Sequence, residues 1–386
     1  MSKNVHYAPH KFESYGDEEI NAVTDCLKDG WLAGFGPRTI EFERRVSIIF
    51  SKEHGLFVNS GSSANLLAVA CLDIEKGSEI ITPACTFSTT LAPILQLGHK
   101  PVFCDVILNA YVPTVEAIIE RITDKTKAIM IPNLIGNKPD WAGLRAKLIE
   151  IEREDIYLIE DSCDTMSSTQ ETDIASTSFY ASHIITAGGS GGMVMFNDEA
   201  LLKKATMYRD WGRIGNNAED MNERFNHKVD GISYDFKFLY GAIGYNFKSS
   251  EMNAAFGLAQ LDKFEKFKEI RRNNIERYLE RLEGSNIMLP DDSIKPLWMA
   301  LPFQYHDRLA LLTFLEDNNV QTRVTFAGNI TRHPVYREFL DESMINSDTI
   351  MKNGFLLGAH HGMNIEDVDY VCDLLLQYDR EHPIET

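Results

Sequence analysis

Short apolar runs rich in valine and isoleucine alternate with longer helical patterns between about residues 50 and 250, and this alternation restricts the fold most strongly. The runs include EIITP (79–83), PVFCDV (101–106) and IYLIED (156–161). Polar and apolar residues do not alternate cleanly within them, which indicates strands that are buried on both faces. Strands of this kind, separated by helices, form a mostly parallel sheet with helices on both sides. The sequence therefore predicts an α/β fold.

A different pattern follows this region. The stretch 249–284 is a long, charged helical pattern, and PLWMALPFQYHDRLALLTFLEDNNVQTRVTF (296–326) has the pattern of a strand, a helix and a strand. This pattern is typical of a small α+β unit. The sequence shows no repeat, low-complexity tract or flexible linker. We predict a large α/β domain over residues 13–250 and a smaller C-terminal α+β domain over residues 251–386, packed closely together.

The charge balance excludes some classes of partner. The 386 residues carry 38 basic and 57 acidic side chains, a formal charge of −19, without a cluster of lysine and arginine. Nucleic acid and anionic membranes are therefore not expected as partners. No apolar stretch approaches the ~18 residues of a membrane span, and the N-terminus lacks an apolar signal segment, so we expect a cytoplasmic protein. The six cysteines stand singly and are expected to be buried free thiols, with no metal site.

A helix that directly follows a strand offers a site for a phosphate. In VNSGSSANLLAVA (58–70), an apolar run is followed by Gly61, Ser62 and Ser63 and then by a helical pattern. Gly61 permits close backbone approach, the two serines add hydroxyl donors, and the free N–H groups of the helix start favour an anion. A capped helix after a tight turn explains the same residues, and this stretch alone favours that simpler interpretation.

Two further strand ends carry groups that suit a planar, nitrogen-containing cofactor. The run IYLIED ends in Glu160 and Asp161, and Asp164 follows three residues later. A carboxylate in this position holds a pyridine nitrogen protonated and so keeps the ring an effective electron sink. Mg²⁺ binding or a helix cap also explains these carboxylates. Phe87 follows the strand in TPACTFSTT (82–90), where its ring stacks on a cofactor or, more commonly, packs in the core.

The order of these features is more specific than any one of them. It is similar to the order in pyridoxal-phosphate enzymes of the aspartate aminotransferase fold, type I. Six stretches resemble the DegT/DnrJ/EryC1/StrS sugar aminotransferase family over nearly the whole chain: GPRTIEFE (36–43), SGSSANLL (60–67), TPACTFSTT (82–90), IEDSCD (159–164), SFYASHIIT (178–186) and GYNFKSSEMNAAFGLAQL (244–261). The resemblance implies this fold, pyridoxal 5′-phosphate or pyridoxamine 5′-phosphate as cofactor, and a sugar as substrate.

The resemblance also implies roles for individual residues. Phe87 would stack on the cofactor ring, and Asp161 would pair with its pyridine nitrogen. Asn246 would reach the cofactor phosphate of the neighbouring subunit, which requires a homodimer with shared active sites. The remaining cofactor-binding residues that it implies are Gly61, Ser62, Ser63, Asp164 and Ser178.

One position departs from the family pattern. Typical members carry the cofactor-binding lysine in an SFYxxK segment, and the same count from Ser178 arrives at His183. A lysine both anchors the cofactor covalently and moves a proton. Imidazole does not provide the anchor, but it serves as a base near neutral pH. A histidine here is the mark of the nucleotide-sugar 3-dehydratase branch, which this chain also resembles in RDWGR (209–213) and TFAGNITRHPVY (325–336).

The branch implies removal of the C3 hydroxyl of a nucleotide-linked 4-keto-6-deoxyhexose for lipopolysaccharide or another surface glycan, with L-glutamate as amino donor. One subgroup binds an iron–sulfur cluster through cysteines after RDWGR, and none follows here before Cys372, so no cluster is expected. A sugar aminotransferase without the lysine and a catalytically silent family member are the alternatives. Four residues are candidates for binding a diphosphate or a carboxylate, although surface ion pairs explain them equally: Arg209, Arg213, Arg332 and His333.

Overall fold

The central sheet lies in the predicted large domain. The structure is a computed structural model that describes residues 3–10, 13–215 and 219–383, so positions 216–218 and 384–386 of the two predicted domains lie outside the described residues. Seven strands of the described chain form the sheet: β1 (His54–Val58), β2 (Glu79–Pro83), β3 (Lys100–Cys104), β4 (Thr126–Pro132), β5 (Tyr157–Asp161), β6 (Ile174–Ser178) and β7 (Gly192–Phe196).

The strand order across this sheet is β1-β7-β6-β5-β4-β2-β3. Strand β7 is antiparallel to both of its neighbours, β1 and β6. The pairs between β2, β3, β4, β5 and β6 are parallel. The predicted mostly parallel sheet is therefore confirmed.

Helices cover both faces of the central sheet, as the run pattern predicts, and further helices belong to the C-terminal part. In chain order, the helices are α1 (Asp17–Asp29), α2 (Pro37–Ile49), α3 (Gly61–Ala70), α4 (Ser88–Gln96), α5 (Val115–Ile119), α6 (Trp141–Glu150), α7 (Glu199–Arg209), α8 (Met221–Arg224), α9 (Glu251–Leu282), α10 (Arg308–Asp317), α11 (Ile345–Asn353) and α12 (Ile365–Glu381). Ile80 and Ile159 pack with α3, α4 and α7 on one face. Their neighbours Ile81 and Leu158 pack with α5 and α6 on the other. Both faces are apolar because both are covered.

The C-terminal part forms a second, smaller sheet. Strands β10 (Leu301–Gln304), β11 (Arg323–Val324) and β12 (Gly354–Leu357) pair antiparallel in the order β10-β12-β11, and β8 (His227–Val229) and β9 (Ile232–Tyr234) form a separate hairpin. Helices α10 and α12 and the end of α9 share a core with this second sheet. The strand, helix and strand of 296–326 are therefore confirmed. The boundary between residues 250 and 251 stays a prediction, although α9 begins there.

A buried carboxylate fixes the start of α9 against α2. Glu251 accepts hydrogen bonds from the backbone N–H of Gly36 at 2.9 Å, of Arg38 at 3.0 Å and of Thr39 at 3.0 Å. The hydroxyl of Thr39 also donates to it. Pro37 is the first residue of α2, where its missing N–H costs nothing. The stretches GPRTIEFE and KSSEMNAA are thus joined by donors that the first turn of a helix leaves free.

No helix in the described part of the chain is long and apolar enough to cross a membrane. All six cysteines are free thiols, as predicted, and five are buried. The sixth, Cys163, is half-buried beside the cavity described next.

Candidate active site

A cavity of about 560 Å³ opens at the carboxyl ends of β2, β4, β5 and β6, beside the start of α3. Loops that leave this edge of a parallel sheet are the usual place for a ligand site. Seven of the predicted site residues line it: Gly61, Ser62, Phe87, Asp161, Asp164, Ser178 and His183. The tertiary structure thus brings together residues that lie more than 100 positions apart.

One end of the cavity suits a phosphate. Ser60 caps α3, because its hydroxyl oxygen accepts the backbone N–H of Ser63 at 3.1 Å. The exposed Ser62 faces the cavity, while the hydroxyl of Ser63 is buried and donates to the side-chain oxygen of Asn59 at 2.7 Å. The helix start therefore offers backbone and hydroxyl donors to an anion. Ser63 stabilises the loop and does not line the cavity wall.

The backbone of Gly61 packs too closely for any side chain. A Cβ atom at this position would lie 2.6 Å from the Sγ of Cys163 and 2.7 Å from the Cβ of Ser178. Both distances are shorter than real Cβ contacts allow. The glycine therefore lets the helix start approach the end of β6, where Ser178 also reaches the cavity.

Asp161 is a buried carboxylate that neutral donors surround. One carboxylate oxygen accepts from the Nδ2 of Asn65 at 2.7 Å and from the hydroxyl of Thr90 at 2.7 Å. The other accepts from the backbone N–H of Cys163 at 3.1 Å. No described cation lies within ion-pair distance of Asp161, so its charge is available to a cation in the cavity. This arrangement fits the protonated nitrogen of a pyridine ring.

Glu160, the other carboxylate of this strand end, faces away from the cavity. It accepts from the Nδ2 of Asn133 at 2.8 Å and from the hydroxyl of Thr172 at 3.1 Å. Successive side chains of a strand point to opposite faces, which separates the two neighbours. Asp161 alone of this pair belongs to the site.

Asp164 lies on the cavity wall beside Asp161. It accepts the backbone N–H of Ile135 at 2.8 Å. Burial raises its pKa to about 7, and the charge of Asp161 contributes in the same direction. The carboxyl of Asp164 is therefore partly protonated near neutral pH.

Phe87 presents its ring to the cavity. The side chain is 49% exposed, and its ring lies 5.8 Å from that of Phe326 in an edge-on arrangement. An aromatic ring left open at a cavity wall is suited to stacking on a planar ligand.

His183 lies on the same wall in a tight turn after β6. Its Nδ1 is 3.3 Å from the backbone oxygen of Ser178, which favours the tautomer with the proton on Nδ1. Burial lowers the pKa of His183 to about 4, so the ring is neutral near pH 7 and Nε2 is free to accept a proton. Gly188 and Gly189 continue this turn at φ values of 73° and 93°, which glycine adopts readily.

The sequence profile of the DegT/DnrJ/EryC1/StrS aminotransferase family matches residues 13–376. The chain belongs to this family. Among its curated relatives, the lipopolysaccharide biosynthesis protein RfbH of Salmonella typhimurium is 34% identical over 92% of this chain and 88% of that protein. The dTDP-4-dehydro-2,6-dideoxy-D-glucose 3-dehydratase of Saccharopolyspora spinosa is 33% identical over 94% of this chain and 84% of that protein.

Solved structures of this family share the fold over nearly the whole chain. A GDP-4-keto-6-deoxymannose-3-dehydratase with bound GDP-perosamine has a TM-score of 0.85 and 27% identity over 96% of this chain and 100% of that one. The Escherichia coli GDP-4-keto-6-deoxy-D-mannose-3-dehydratase with bound hydrated pyridoxal phosphate has a TM-score of 0.85 and 27% identity over 97% of this chain and 100% of that one. The predicted aspartate aminotransferase fold, and a pyridoxal-phosphate-dependent, sugar-modifying enzyme of this family, are confirmed.

Five of the predicted binding residues do not line the cavity: Asn246, Arg209, Arg213, Arg332 and His333. Buried Arg209 donates to Asp210 at 2.9 Å, and Arg332 forms a two-pronged ion pair with Asp348. The Nε2 of His333 lies 2.9 Å from the backbone oxygen of Ala327. Arg209 and Arg332 thus both form ion pairs, although that of Arg209 is buried and not at the surface. Their contact with a diphosphate or a carboxylate stays a prediction.

Arg213 and Asn246 lie on two segments, 210–213 and 240–246, that pair with each other through backbone bridges. The Arg213 guanidinium lies 4.4 Å from the ring of Trp211, and Asn246 forms a backbone bridge with Asp210. The side chain of Asn246 is exposed. The predicted role of Asn246 toward a neighbouring subunit stays a prediction.

Several residues that line or support the cavity are not predicted from the sequence. Tyr7 and Arg323 line it from the two ends of the chain. Asn65 and Thr90 orient Asp161 from α3 and α4. Asn65 has a local signal, because it is the one strongly polar residue in an otherwise apolar or small stretch of α3. Arg323 has none.

Proposed function

We propose that the chain is a nucleotide-sugar 3-dehydratase that removes the C3 hydroxyl of a 4-keto-6-deoxyhexose, with His183 as the base. The observation that carries the proposal is the position of His183 on the wall that also holds Asp161, in a cavity that no described lysine lines. A family member without this lysine must hold its cofactor by non-covalent contacts alone.

The residues present fit the cofactor at each of its parts. The start of α3 with Gly61, Ser62 and Ser178 would hold its phosphate, Phe87 would stack on its ring, and Asp161 would keep its nitrogen protonated. When bound, the cofactor supplies an electron sink for breaking bonds next to the carbon that carries its nitrogen.

The chemistry left to the protein is proton transfer, for which His183 is arranged. Its Nε2 accepts a proton while Nδ1 faces the oxygen of Ser178, 3.3 Å away, which stabilises the imidazolium that results. The low pKa keeps the base free at neutral pH. The protonated ring is then a strong acid that returns the proton, and one that can assist the departing hydroxyl as water.

The relatives support this reaction class. Curated proteins matched over more than nine-tenths of this chain include 3-dehydratases of dTDP-linked and GDP-linked sugars. GDP-perosamine synthase of Vibrio cholerae is 26% identical over 95% of the chain, so an aminotransferase outcome needs a direct test. We propose L-glutamate as the amino donor, in line with the solved 3-dehydratase that holds a cofactor–glutamate adduct.

We also propose a homodimer. Two paired segments near Asn246, 211–214 and 238–243, expose large apolar side chains, with Ile243 96% exposed. The others are Trp211, Ile214, Phe238 and Tyr240. An exposed apolar surface of this kind marks an interface in a soluble protein. Light scattering after size-exclusion chromatography is expected to give twice the chain mass, and Ile243→Asp to give the monomer, whereas Ile149→Asp on the exposed side of α6 leaves the dimer intact.

The decisive experiment compares His183→Asn with His306→Asn, a surface histidine outside the cavity. Each protein is incubated with cofactor, L-glutamate and a nucleotide-linked 4-keto-6-deoxyhexose, and products are read by mass spectrometry. We expect loss of the C3 hydroxyl with wild type and His306→Asn, and a loss of rate of ~100-fold or more with His183→Asn. An amino sugar as product would establish an aminotransferase. If neither sugar nor cofactor is converted, the protein is a catalytically silent member. Full activity of His183→Asn would overturn the role of the histidine.

A further inference from the structure

Among the residues that the structure describes, Arg323 is the one side chain lining the cavity that carries a positive charge near pH 7. His183 also lines the cavity, but its ring is neutral at this pH. Arg323 lies on β11 of the small C-terminal sheet and is exposed. One of its nitrogens donates to the backbone oxygen of Thr322 at 2.6 Å. No described carboxylate lies within ion-pair distance of Arg323. A guanidinium that faces a ligand cavity without an acidic partner is available to an anion.

The N-terminal strap, residues 5–7, lies beside this guanidinium. Val5 pairs with Val320 through backbone hydrogen bonds, and the N–H of Tyr7 donates to the side-chain oxygen of Gln321 at 3.2 Å. The ring of Tyr7 then lies 5.2 Å from the Arg323 guanidinium. A cation over an aromatic face keeps its N–H edge free for a planar acceptor. The strap therefore places one aromatic face beside the Arg323 guanidinium.

The charges of the cavity are separated. Asp161 and Asp164 lie at the ends of the large sheet, whereas Arg323 comes from the small sheet on the same cavity. The cavity wall beside Arg323 in the sequence is apolar, since Val324 and Phe326 also line the cavity. A single planar guanidinium in such a wall matches one carboxylate in a two-pronged pair. A diphosphate, with more charge and more oxygens, requires several donors.

We propose that Arg323, which lies beside Tyr7 of the N-terminal strap, binds a carboxylate of the amino-acid donor in this cavity. The inference rests on the proposed function, because a donor is needed only if the chain regenerates an amino form of its cofactor. It assigns a binding role to a strap that contributes nothing to the large sheet. The ligand class is an α-amino dicarboxylic acid such as L-glutamate.

The test is a calorimetric titration of the cofactor-loaded protein with glutarate, a dicarboxylate that has no amino group and cannot react. We expect Arg323→Gln to bind glutarate at least ~10-fold more weakly than wild type, the size of one charged hydrogen-bonded pair. Arg323→Lys retains part of the affinity, because it keeps the charge without the planar fork. Arg337→Gln removes an arginine that is exposed outside the cavity and leaves the affinity unchanged.

A second titration with GDP separates the two possible anions. Weaker glutarate binding with unchanged GDP binding in Arg323→Gln supports the proposal, and the reverse pattern assigns Arg323 to the diphosphate and overturns it. Tyr7→Leu is expected to weaken glutarate binding by a smaller factor, ~3- to 10-fold. Urea unfolding and cofactor absorbance confirm that each variant is folded and loaded. Failure of the dehydratase assignment would appear in wild-type product analysis, in which no Arg323 variant takes part.

Discussion

Asp164 is expected to destabilise the cofactor-free protein at neutral pH, and Asp164→Asn to relieve this. Burial raises the pKa of Asp164 from 3.8 to about 7. The folded protein therefore holds a proton on this carboxyl at pH values at which the unfolded chain has released it. Stability falls as the pH rises through this window, between about pH 4 and pH 7.

The size of the effect follows from the two pKa values. The rise in the pKa of Asp164 from 3.8 to about 7 corresponds to a loss of about 4 kcal/mol in the free energy of unfolding above pH 7, at about 1.4 kcal/mol for each pKa unit. Asp164 is half-buried on a cavity that admits water, which reduces the penalty, so we expect a gain of about 1 to 3 kcal/mol for Asp164→Asn at pH 8. The amide oxygen of the variant still accepts the N–H of Ile135, so the backbone contact is kept.

The assay is urea unfolding of the cofactor-free protein at pH 4.5 and pH 8. The gap in unfolding free energy between Asp164→Asn and wild type is expected to be present at pH 8 and small at pH 4.5. Asp124→Asn replaces an exposed aspartate and serves as the matched control with no gap at either pH. An equal gap at both pH values, or no gain at pH 8, would refute the reasoning from burial.

Three further outcomes follow from other contacts. Gly61→Ala is expected to weaken cofactor binding by at least ~10-fold in an equilibrium titration, because its Cβ would lie 2.6 Å from Cys163 Sγ; unchanged affinity contradicts this. Burial lowers the pKa of His183 to about 4, so between pH 6.5 and pH 5 the unfolded chain takes up a proton that the folded protein does not, and the free energy of unfolding of wild type falls. In the cofactor-free state, His183→Asn should lose less unfolding free energy over this interval, by up to about 2 kcal/mol. Parallel pH slopes of the two proteins would argue against it. Glu251→Ala is expected to lower the unfolding free energy by about 3 kcal/mol or more, since buried N–H donors lose their acceptor, whereas exposed Glu265→Ala on the same helix changes it little.

Local patterns in the chain were sufficient for the fold class and much of the site. Short apolar runs without alternation, rich in valine and isoleucine and separated by helical patterns, indicate strands covered on both faces, so the parallel sheet could be predicted from them. Its carboxyl edge then brings together the residues that follow each strand, including Gly61, Phe87, Asp161 and Ser178. The count from Ser178 to His183 needs no structure either.

Residues recruited from distant segments could not be predicted in this way. Arg323 and Tyr7 lie more than 300 positions apart, and neither carries a local pattern that points to a cavity. Their meeting depends on the pairing of the N-terminal strap with the small sheet, a contact between chain ends. Which arginine is available to bind an anion likewise depends on the tertiary structure. Arg209 and Arg332 already have carboxylate partners, whereas Arg323 has none among the described residues.

The sequence by itself determined the fold class, because strand periodicity encodes it, and it placed Gly61, Phe87, Asp161 and Ser178 directly after apolar runs. The roles of these residues toward a cofactor, and His183 at the position of a lysine, follow from the family resemblance and stay predictions. The tertiary structure decided which groups share one cavity and how each ionises. Burial lowers the pKa of His183 to about 4 and raises that of Asp164 to about 7. Desolvation of a charge depends on every neighbour in space, and that information is spread over the whole chain.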